Sequence, residues 1–437
     1  MFNKMKIFSH QTVMIRKVHE MSIVALAAVL GLLASCSREH GMTSVENDDD
    51  GSYVKGLTVS IATRSAESGG GESGNAGNGH ESINLNELIP YELTFDGNTI
   101  LQVSQQTINM PPFQTGDAIY DYRYIPTYEA SDNAWDEDYN FAPYGTGEPL
   151  RWDTISDRGS YNGSFALYCM YFPIENTIRS EVNENGAINY RVMDDQSTVD
   201  NLKKSDILGA YHSTQEVFSR IRFRLFHLMT YFRIRLYVPV YDDEKNTGYR
   251  EDALQYATLD NVTPYFAIDW SVNRSSDEQG PVVSALSGDG HIKMYLHPLP
   301  GDKTQHEIEE IKYKDYLPKD YFDQGIEGDY DKVRVYDFSV ILPKQKGIMI
   351  DGKEINFTDT EFLSFYLRTN SGSTTRYYFS QAFSANTTES TMEMEQGVFQ
   401  YLQLYVPRVG NQVVFVGAKV NPWNQMTTDM VLKEQPE

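Results

Sequence analysis

The sequence predicts an all-β protein, and three observations carry that prediction. Short apolar runs with a period of two recur along most of the chain, the pattern of strands with one buried face. Aromatic residues make up 13% of the chain and tyrosine is the commonest of them, a composition that suits pleated, half-buried surfaces. No stretch sustains the three- and four-residue apolar spacing of a long amphipathic helix.

From the N-terminus, the first 35 residues belong to export rather than to the fold. Arg16 and Lys17 supply a short basic region, with Met5 and Met14 as alternative starts. Residues 23–33 (IVALAAVLGLL) form an apolar run too short for a permanent span, of the length of a signal-peptide core. The run ends in Leu33-Ala34-Ser35-Cys36, which resembles a lipobox, where small residues precede a cysteine that receives lipid. Cys36 is therefore the expected lipidation site. An acyl chain such as palmitate would then hold the chain at the outer membrane or cell surface.

Residues 36–82 read as tether, first strand and linker. The polar stretch 37–52, with Asn47-Asp48-Asp49-Asp50, has the composition of a flexible tether. In Leu57 to Thr63 the residues Leu57, Val59 and Ile61 share one face, as in a half-buried strand. Arg64 follows at once, then the Gly/Ser-rich linker 65–82, so the Arg64–Ser65 bond is open to a trypsin-like protease. The plain alternative is a permanent edge strand followed by a solvated arginine.

The body continues as strands. The clearest run from Phe165 to Phe172, Ile221 to Leu225, Tyr231 to Val240, His291 to Leu296, Val333 to Leu342, Phe362 to Arg368, Thr375 to Phe379, Tyr401 to Val406 and Val413 to Val420. Gly288-Asp289-Gly290 and Asp351-Gly352 read as hairpin turns, the second between residues 348–350 and 354–357. Such a succession favours sandwiches over βαβ units. Near the C-terminus, Met426, Thr428, Met430 and Leu432 alternate with Thr427, Asp429, Val431 and Lys433. That segment is either a donor strand able to reach another molecule or a last edge strand on its own domain.

Composition excludes several functions. A net charge of -24 opposes nucleic acid as a partner, because phosphates would be repelled. The chain has 2 cysteines, so lipid on Cys36 leaves Cys169 with no disulfide partner. Cys169 lies in Ser164 to Phe172, apolar on both faces, and reads as a core residue. The sequence contains no His-Glu-x-x-His, phosphate loop, Cys-x-x-Cys or Gly-x-Ser-x-Gly. The expectation is therefore no enzyme, no cofactor and no metal, although carboxylate pairs of the glycosidase kind leave no motif. Trp135-Asp136-Glu137-Asp138-Tyr139 reads as a calcium or sugar contact or as a plain acidic loop. Asp323, Asp329 and Asp331 lack the spacing of a calcium hand. His227, beside Phe226, Leu228 and Met229, reads as a packed structural histidine.

Three stretches, taken in order, resemble the fimbrillin family, the type V pilins of Gram-negative surface pili. Met193-Asp-Asp-Gln-Ser-Thr198 followed by Ser205-Asp206-Ile-Leu-Gly-Ala210 is similar to the family's "DQS…sDll.A" segment, with Tyr171-Phe172-Pro173 ahead of it. Arg222 to Leu236 (RFRLFHLMTYFRIRL) is similar to its "f.H.lakl.i.l" strand pair, with Met229-Thr230-Tyr231 in place of the usual Ala-Lys. The ending, Tyr401 to Val406, Val413 to Val420 and Pro422-Trp423, resembles the family's closing strands and terminal tryptophan. One departure is that Gly116-Asp117-Ala118-Ile119 lies well downstream of Arg64, where many members have it close by.

The resemblance implies two transthyretin-like β-sandwich domains, 83–217 and 218–437. It also implies assembly by donor-strand exchange, in which a strand carrying Leu57, Val59 and Ile61 is released by a trypsin-like surface protease cutting after Arg64. The partners implied are other pilin subunits, in a homo- or heteropolymer, and the role is that of a shaft, tip or anchor subunit serving adhesion. Two readings from other classes stand beside it. One is a monomeric glycan-binding surface lipoprotein using Trp135 and Tyr139 as stacking platforms; the other is a surface hydrolase.

Overall fold

A computed structural model describes residues 58–61, 88–91, 93, 95–106, 119–124, 139–143, 165–173, 180–182, 188–214, 220–223, 225–269, 282–286, 290–299, 301, 303–312, 330–345, 348–350, 353–355, 359–380, 396–408 and 410–423. The chain divides into Met1–Gly51 and Ser52–Glu437, and every described residue belongs to the second unit.

The strands follow in chain order. The first nine are β1 (Thr58–Ile61), β2 (Ile100–Gln106), β3 (Ile119–Tyr124), β4 (Tyr139–Pro143), β5 (Phe165–Tyr171), β6 (Ser180–Val182), β7 (Ile188–Arg191), β8 (Leu208–Thr214) and β9 (Arg220–Phe223). Next come β10 (Phe226–His227), β11 (Thr230–Pro239), β12 (Leu254–Val262), β13 (Tyr265–Asp269), β14 (Val282–Ala285), β15 (Gly290–Lys293), β16 (Tyr295–Leu296) and β17 (Ile308–Ile311). The last are β18 (Asp331–Leu342), β19 (Ile348–Ile350), β20 (Lys353–Ile355), β21 (Leu363–Arg368), β22 (Thr374–Phe379), β23 (Val398–Tyr405) and β24 (Val414–Pro422). The helix α1 (Val199–Lys204) stands between β7 and β8; Thr198 caps it, its side chain accepting from the Asn201 N–H at 3.2 Å.

The protein is thus all-β with one short helix among the described residues. An eight-stranded sheet runs β10-β8-β5-β2-β3-β4-β1-β9. A second sheet runs β16-β18-β11-β23-β24, with β17 also on β18, and a third runs β15-β12-β21-β22. A fourth, β14-β13-β7-β6, joins an early hairpin to a later one, and β19 pairs with β20. The Asp351-Gly352 turn lies outside the described residues, but its two flanking strands pair as the sequence implied.

Alternation explains the layers. In β11, Phe232, Ile234, Leu236 and Val238 enter one core that also holds Phe338 and Val340 of β18, Leu402 and Leu404 of β23, and Ala257, Leu259, Phe365 and Phe379 from the third sheet. The two sheets enclose this core as a sandwich, and the Phe338 and Phe365 rings meet across it at 5.7 Å. Strand β5 is buried on both faces: Leu167, Cys169 and Tyr171 enter a second core beneath the eight-stranded sheet, while Tyr168 and Met170 face the first. That double burial is why Ser164 to Phe172 has no polar face.

Three local readings are corrected. His291 to Leu296 is two strands, not one: β15 pairs with β12 and β16 with β18, so the chain crosses between sheets at Met294. Ile292 and Met294 are buried while Tyr295 and Leu296 are both half-buried, so nothing in the local pattern marks the break. Gly288-Asp289-Gly290 is not the turn of a hairpin, because β14 pairs with β13 and β15 with β12. The Arg222 to Leu236 segment supplies β9, β10 and β11, which pair with β1, β8, and β18 plus β23 respectively, and not with one another.

Candidate functional site

The first strand occupies an interior place. β1 pairs antiparallel with β4 and parallel with β9, so it is not an edge strand. Val59 stands in register with Phe141 and Ile221, and Ile61 with Tyr139 and Phe223. Phe141, Ile221 and Phe223 are buried in the core beneath the sheet. Val59 and Ile61 therefore take the register positions that continue an apolar row from β4 to β9. Without β1, the facing edges of β4 and β9 would lie about two strand spacings apart, close to 10 Å, with unpaired backbone groups on both.

The three stretches that resemble fimbrillins converge at one junction. From the first, Gln196 is fully buried: its side-chain amide donates to the Ile341 carbonyl at 2.6 Å and accepts from the Ile341 N–H at 2.8 Å. This ties the turn before α1 to the end of β18. Ser205 accepts from the Met193 N–H at 3.1 Å and donates to the Asn201 carbonyl at 3.0 Å. Asp206 is fully buried, with Oδ1 at 2.8 Å from Nδ1 of His227, which comes from the second stretch. Trp423, from the third, stacks on the His227 ring with centroids 3.8 Å apart and planes 11° apart. Its backbone N–H donates to the Gly397 carbonyl at 2.6 Å. His227 is a packed histidine, as its apolar neighbours implied, and its partners are a carboxylate 21 residues before it and an indole far away in sequence.

The same junction receives residues 88–91, which follow the Gly/Ser-rich linker. Tyr91 donates to Oδ2 of Asp206 at 3.3 Å, and its ring meets Tyr231 edge-on at 6.5 Å. Burial, and then the Asp206 carboxylate, push the Tyr91 phenol well above its ordinary range, so it keeps the proton it donates. The Leu88 carbonyl accepts from Nη1 of Arg233 at 2.7 Å. Sequence reasoning did not find Leu88, Tyr91 or Arg233; the one available signal was the apolar Leu88-Ile89-Pro90-Tyr91 directly after a polar linker.

Arg233 is held in turn by an ionic network on the same face. Asp337 lies 3.3 Å from it and makes two bonds to Arg235, at 3.0 and 3.1 Å. Nε2 of His297 lies 2.6 Å from Nη1 of Arg233 and 2.6 Å from the Ser339 hydroxyl. Nδ1 lies 2.9 Å from the same Nη1, so the guanidinium faces both ring nitrogens and its positive charge opposes protonation of His297. Burial first, and the Arg233 charge second, lower the His297 pKa to about 3.

This sets a pH dependence whose sign is fixed. The unfolded histidine binds a proton below about 6.5 while the folded one resists until about 3, so acidification between those values favours the unfolded chain. Its stabilising contribution is complete above pH 6.5 and falls by about 1.4 kcal/mol per pH unit below it. His297→Gln, which keeps an acceptor for Arg233 but cannot titrate, is expected to flatten this part of the curve. Urea melts of both proteins at pH 7, 5.5 and 4.5 check it; parallel losses in the two would place the titration elsewhere.

The remaining candidates fall as follows. Asp331 is not available to a cation: it is buried against Arg408, with Nη2 at 2.6 Å and Nε at 3.1 Å, and accepts from the Tyr405 hydroxyl at 2.7 Å. Cys169 is fully buried, and burial pushes its thiol far above the ordinary value, so it is an inert core residue. Among the described residues no group of three or more His, Cys, Asp or Glu side chains could hold a metal. Tyr139 lies in β4. Cys36, Leu57, Arg64, Ser65, Trp135, Asp323, Asp329, Met426, Thr428, Met430 and Leu432 lie outside the described residues.

No protein-family model and no curated protein matches the chain. Among solved structures it is similar to the tip fimbrial protein Mfa3 from Porphyromonas gingivalis, with 10% identity, 84% of this chain and 99% of that chain covered, and a TM-score of 0.35. It is also similar to the fimbrial anchor protein Mfa2 from the same organism, with 8% identity, 84% and 97% coverage, and a TM-score of 0.31.

Proposed function

We propose that the chain is a structural or accessory subunit of a cell-surface pilus, exported as a lipoprotein on Cys36 and joined to its neighbours by strand exchange in the service of adhesion. The observation that carries this reading is the interior position of β1, between β4 and β9, on a segment followed by Arg64 and a Gly/Ser-rich linker. A strand paired on both sides is costly to lose, because its departure leaves two unpaired edges and an apolar row open to water. Another strand of alternating apolar residues restores both. Residues 426–432 carry that alternation, and they begin just past Trp423, whose ring is buried. In this reading a trypsin-like surface protease cuts between Arg64 and Ser65, the segment with Leu57, Val59 and Ile61 departs, and Met426, Thr428, Met430 and Leu432 of a neighbour fill the slot. Two sandwich domains meeting near residue 217 belong to the same proposal. A subunit that escapes cleavage keeps its lipid and serves as an anchor.

Limited trypsin treatment of the full chain, followed by gels run without boiling, tests it. The full chain is expected to be cut at Arg64 and to form a ladder. A version ending at Trp423 is expected to melt at nearly the same temperature and form none. A truncated chain that still ladders removes the donor role from 426–432. A full chain that stays monomeric after cleavage at Arg64 favours the glycan-binding surface lipoprotein instead.

A further inference from the structure

We propose that the outward face of the β15-β12-β21-β22 sheet is a binding site for a neutral oligosaccharide. The inward positions of its two middle strands, Ala257, Leu259, Leu363, Phe365 and Leu367, belong to the sandwich core. Alternation turns the residues between them the other way. Strand register then places Tyr256 opposite Tyr366 and Tyr366 opposite Arg376, one row across three strands. The row spans about 10 Å, two strand spacings, on the order of two sugar rings.

The row sets an exposed aromatic ring beside fixed polar groups. The Tyr256 and Tyr366 rings stack with centroids 4.3 Å apart and planes 19° apart, and Tyr256 is 40% exposed. Tyrosine buried in a core is common; here a stacked pair lies on the outer face instead. β12 carries irregularities between Leu254 and Tyr256 and between Asp260 and Val262, bracketing the segment that forms the face. Asn261, within the second, has a φ of 56°. Bulges bend a strand and re-aim its side chains, and they gather at functional faces.

Arg376 is immobilised at the end of the row. Its Nε donates to Ser364 Oγ at 2.8 Å, Nη1 to Glu361 at 2.7 Å and Nη2 to Asp260 at 3.2 Å, with the Tyr378 ring 5.6 Å from the guanidinium carbon. Thr258 donates to the other oxygen of Asp260 at 2.9 Å. Arg368, further along β21, lies 3.5 Å from Asp252. Arg376 and Arg368 thus each have a carboxylate, on a chain whose net charge is -24.

The charge pattern selects the occupant. A polyanion would approach Asp260 and Glu361 through the field of an acidic chain, and a polycation would meet Arg376 and Arg368. A protein partner with an apolar patch would have to strip water from these ion pairs, which is costly. A neutral sugar meets neither penalty. Its C–H face packs on the electron-rich face of an aromatic ring, and each of its hydroxyls both donates and accepts. The exposed Tyr256 ring receives the first, and the preset carboxylates and guanidinium receive the second.

A printed array of neutral, sialylated and sulfated oligosaccharides, probed with the detergent-solubilised full chain, tests this. Neutral oligosaccharides are expected to bind. Calorimetric titration of the strongest of them should show at least a tenfold loss of affinity in Tyr256→Ala and little change in Tyr256→Phe. If Tyr256→Ala melts early, Tyr256→Leu, which keeps apolar bulk without a ring, takes its place. Absence of neutral binding, binding confined to acidic glycans, or unchanged affinity in the ring-less variant overturns the proposal. Laddering after trypsin should be the same in these variants as in the parent, so the pilus reading fails or stands separately.

Discussion

Arg408→Met is expected to lower the unfolding free energy by about 3–5 kcal/mol, the range for a buried ion pair that loses one partner. Its side chain is 8% exposed and that of Asp331 4%, and the two meet through a two-bonded fork. Arg408 also donates to the Val240 carbonyl and to Thr247, each at 3.2 Å. It therefore closes the loop between β11 and β12 over the sheet end. A Cβ placed on Gly248, whose φ is +84°, would lie 2.8 Å from Nη1 of Arg408, which shows how tightly that loop is drawn in. Deleting the guanidinium leaves a buried carboxylate that still accepts from the Tyr405 hydroxyl at 2.7 Å, and the uncompensated charge is the source of the cost. Arg408→Lys should recover part of the loss, because an ammonium supplies charge without the planar fork. Removing both charges, in Asp331→Leu with Arg408→Met, should cost less than either change alone. Urea melts of the parent and the four variants check this; a loss under about 1 kcal/mol in Arg408→Met, the value of a solvated surface pair, would show that water reaches the site.

Trp423→Ala is the second large effect, at about 3–5 kcal/mol from lost burial and an unfilled cavity. The ring is 1% exposed, stacked on His227 and tilted against Tyr231 at 5.3 Å. A fall of the melting temperature of about 5 °C follows for a chain of this size. His227→Phe separates the two contributions. It keeps an aromatic ring under the indole and removes the bond to Asp206, so the expected cost is about 1–3 kcal/mol, that of a buried polar group losing a partner. Differential scanning calorimetry distinguishes them. Equal losses in the two variants would mean that the histidine–carboxylate bond, not the indole, holds the junction. The contrast with truncation after Trp423, expected to leave the melting temperature almost unchanged, locates the stabilising end of the fold at the tryptophan itself.

Much of this was legible because it depends on local periodicity. The strand at Phe165 to Phe172, the long strands at Tyr231 to Val240 and Val333 to Leu342, and the core position of Cys169 all follow from which residues alternate. β12 escaped notice for the same reason: its two irregularities break the period, so Leu254 to Val262 does not read as a clean alternation. His291 to Leu296 shows the opposite failure. Its alternation is continuous, yet the chain passes from one sheet to another within it. Period reports that alternate residues are buried, and any sheet that buries them satisfies it equally.

The amino-acid sequence by itself determined the all-β class, the positions of the strong strands, the packed state of His227 and the core position of Cys169. The tertiary structure alone decided that β1 lies between β4 and β9, that Asp331 is spent on Arg408, and that Asp206, His227 and Trp423 meet. The physical reason is range. Alternation and composition act over a few residues, whereas pairing partners and ring partners are chosen by contacts between segments a hundred or more residues apart, as His227 and Trp423 are, and no local pattern encodes them.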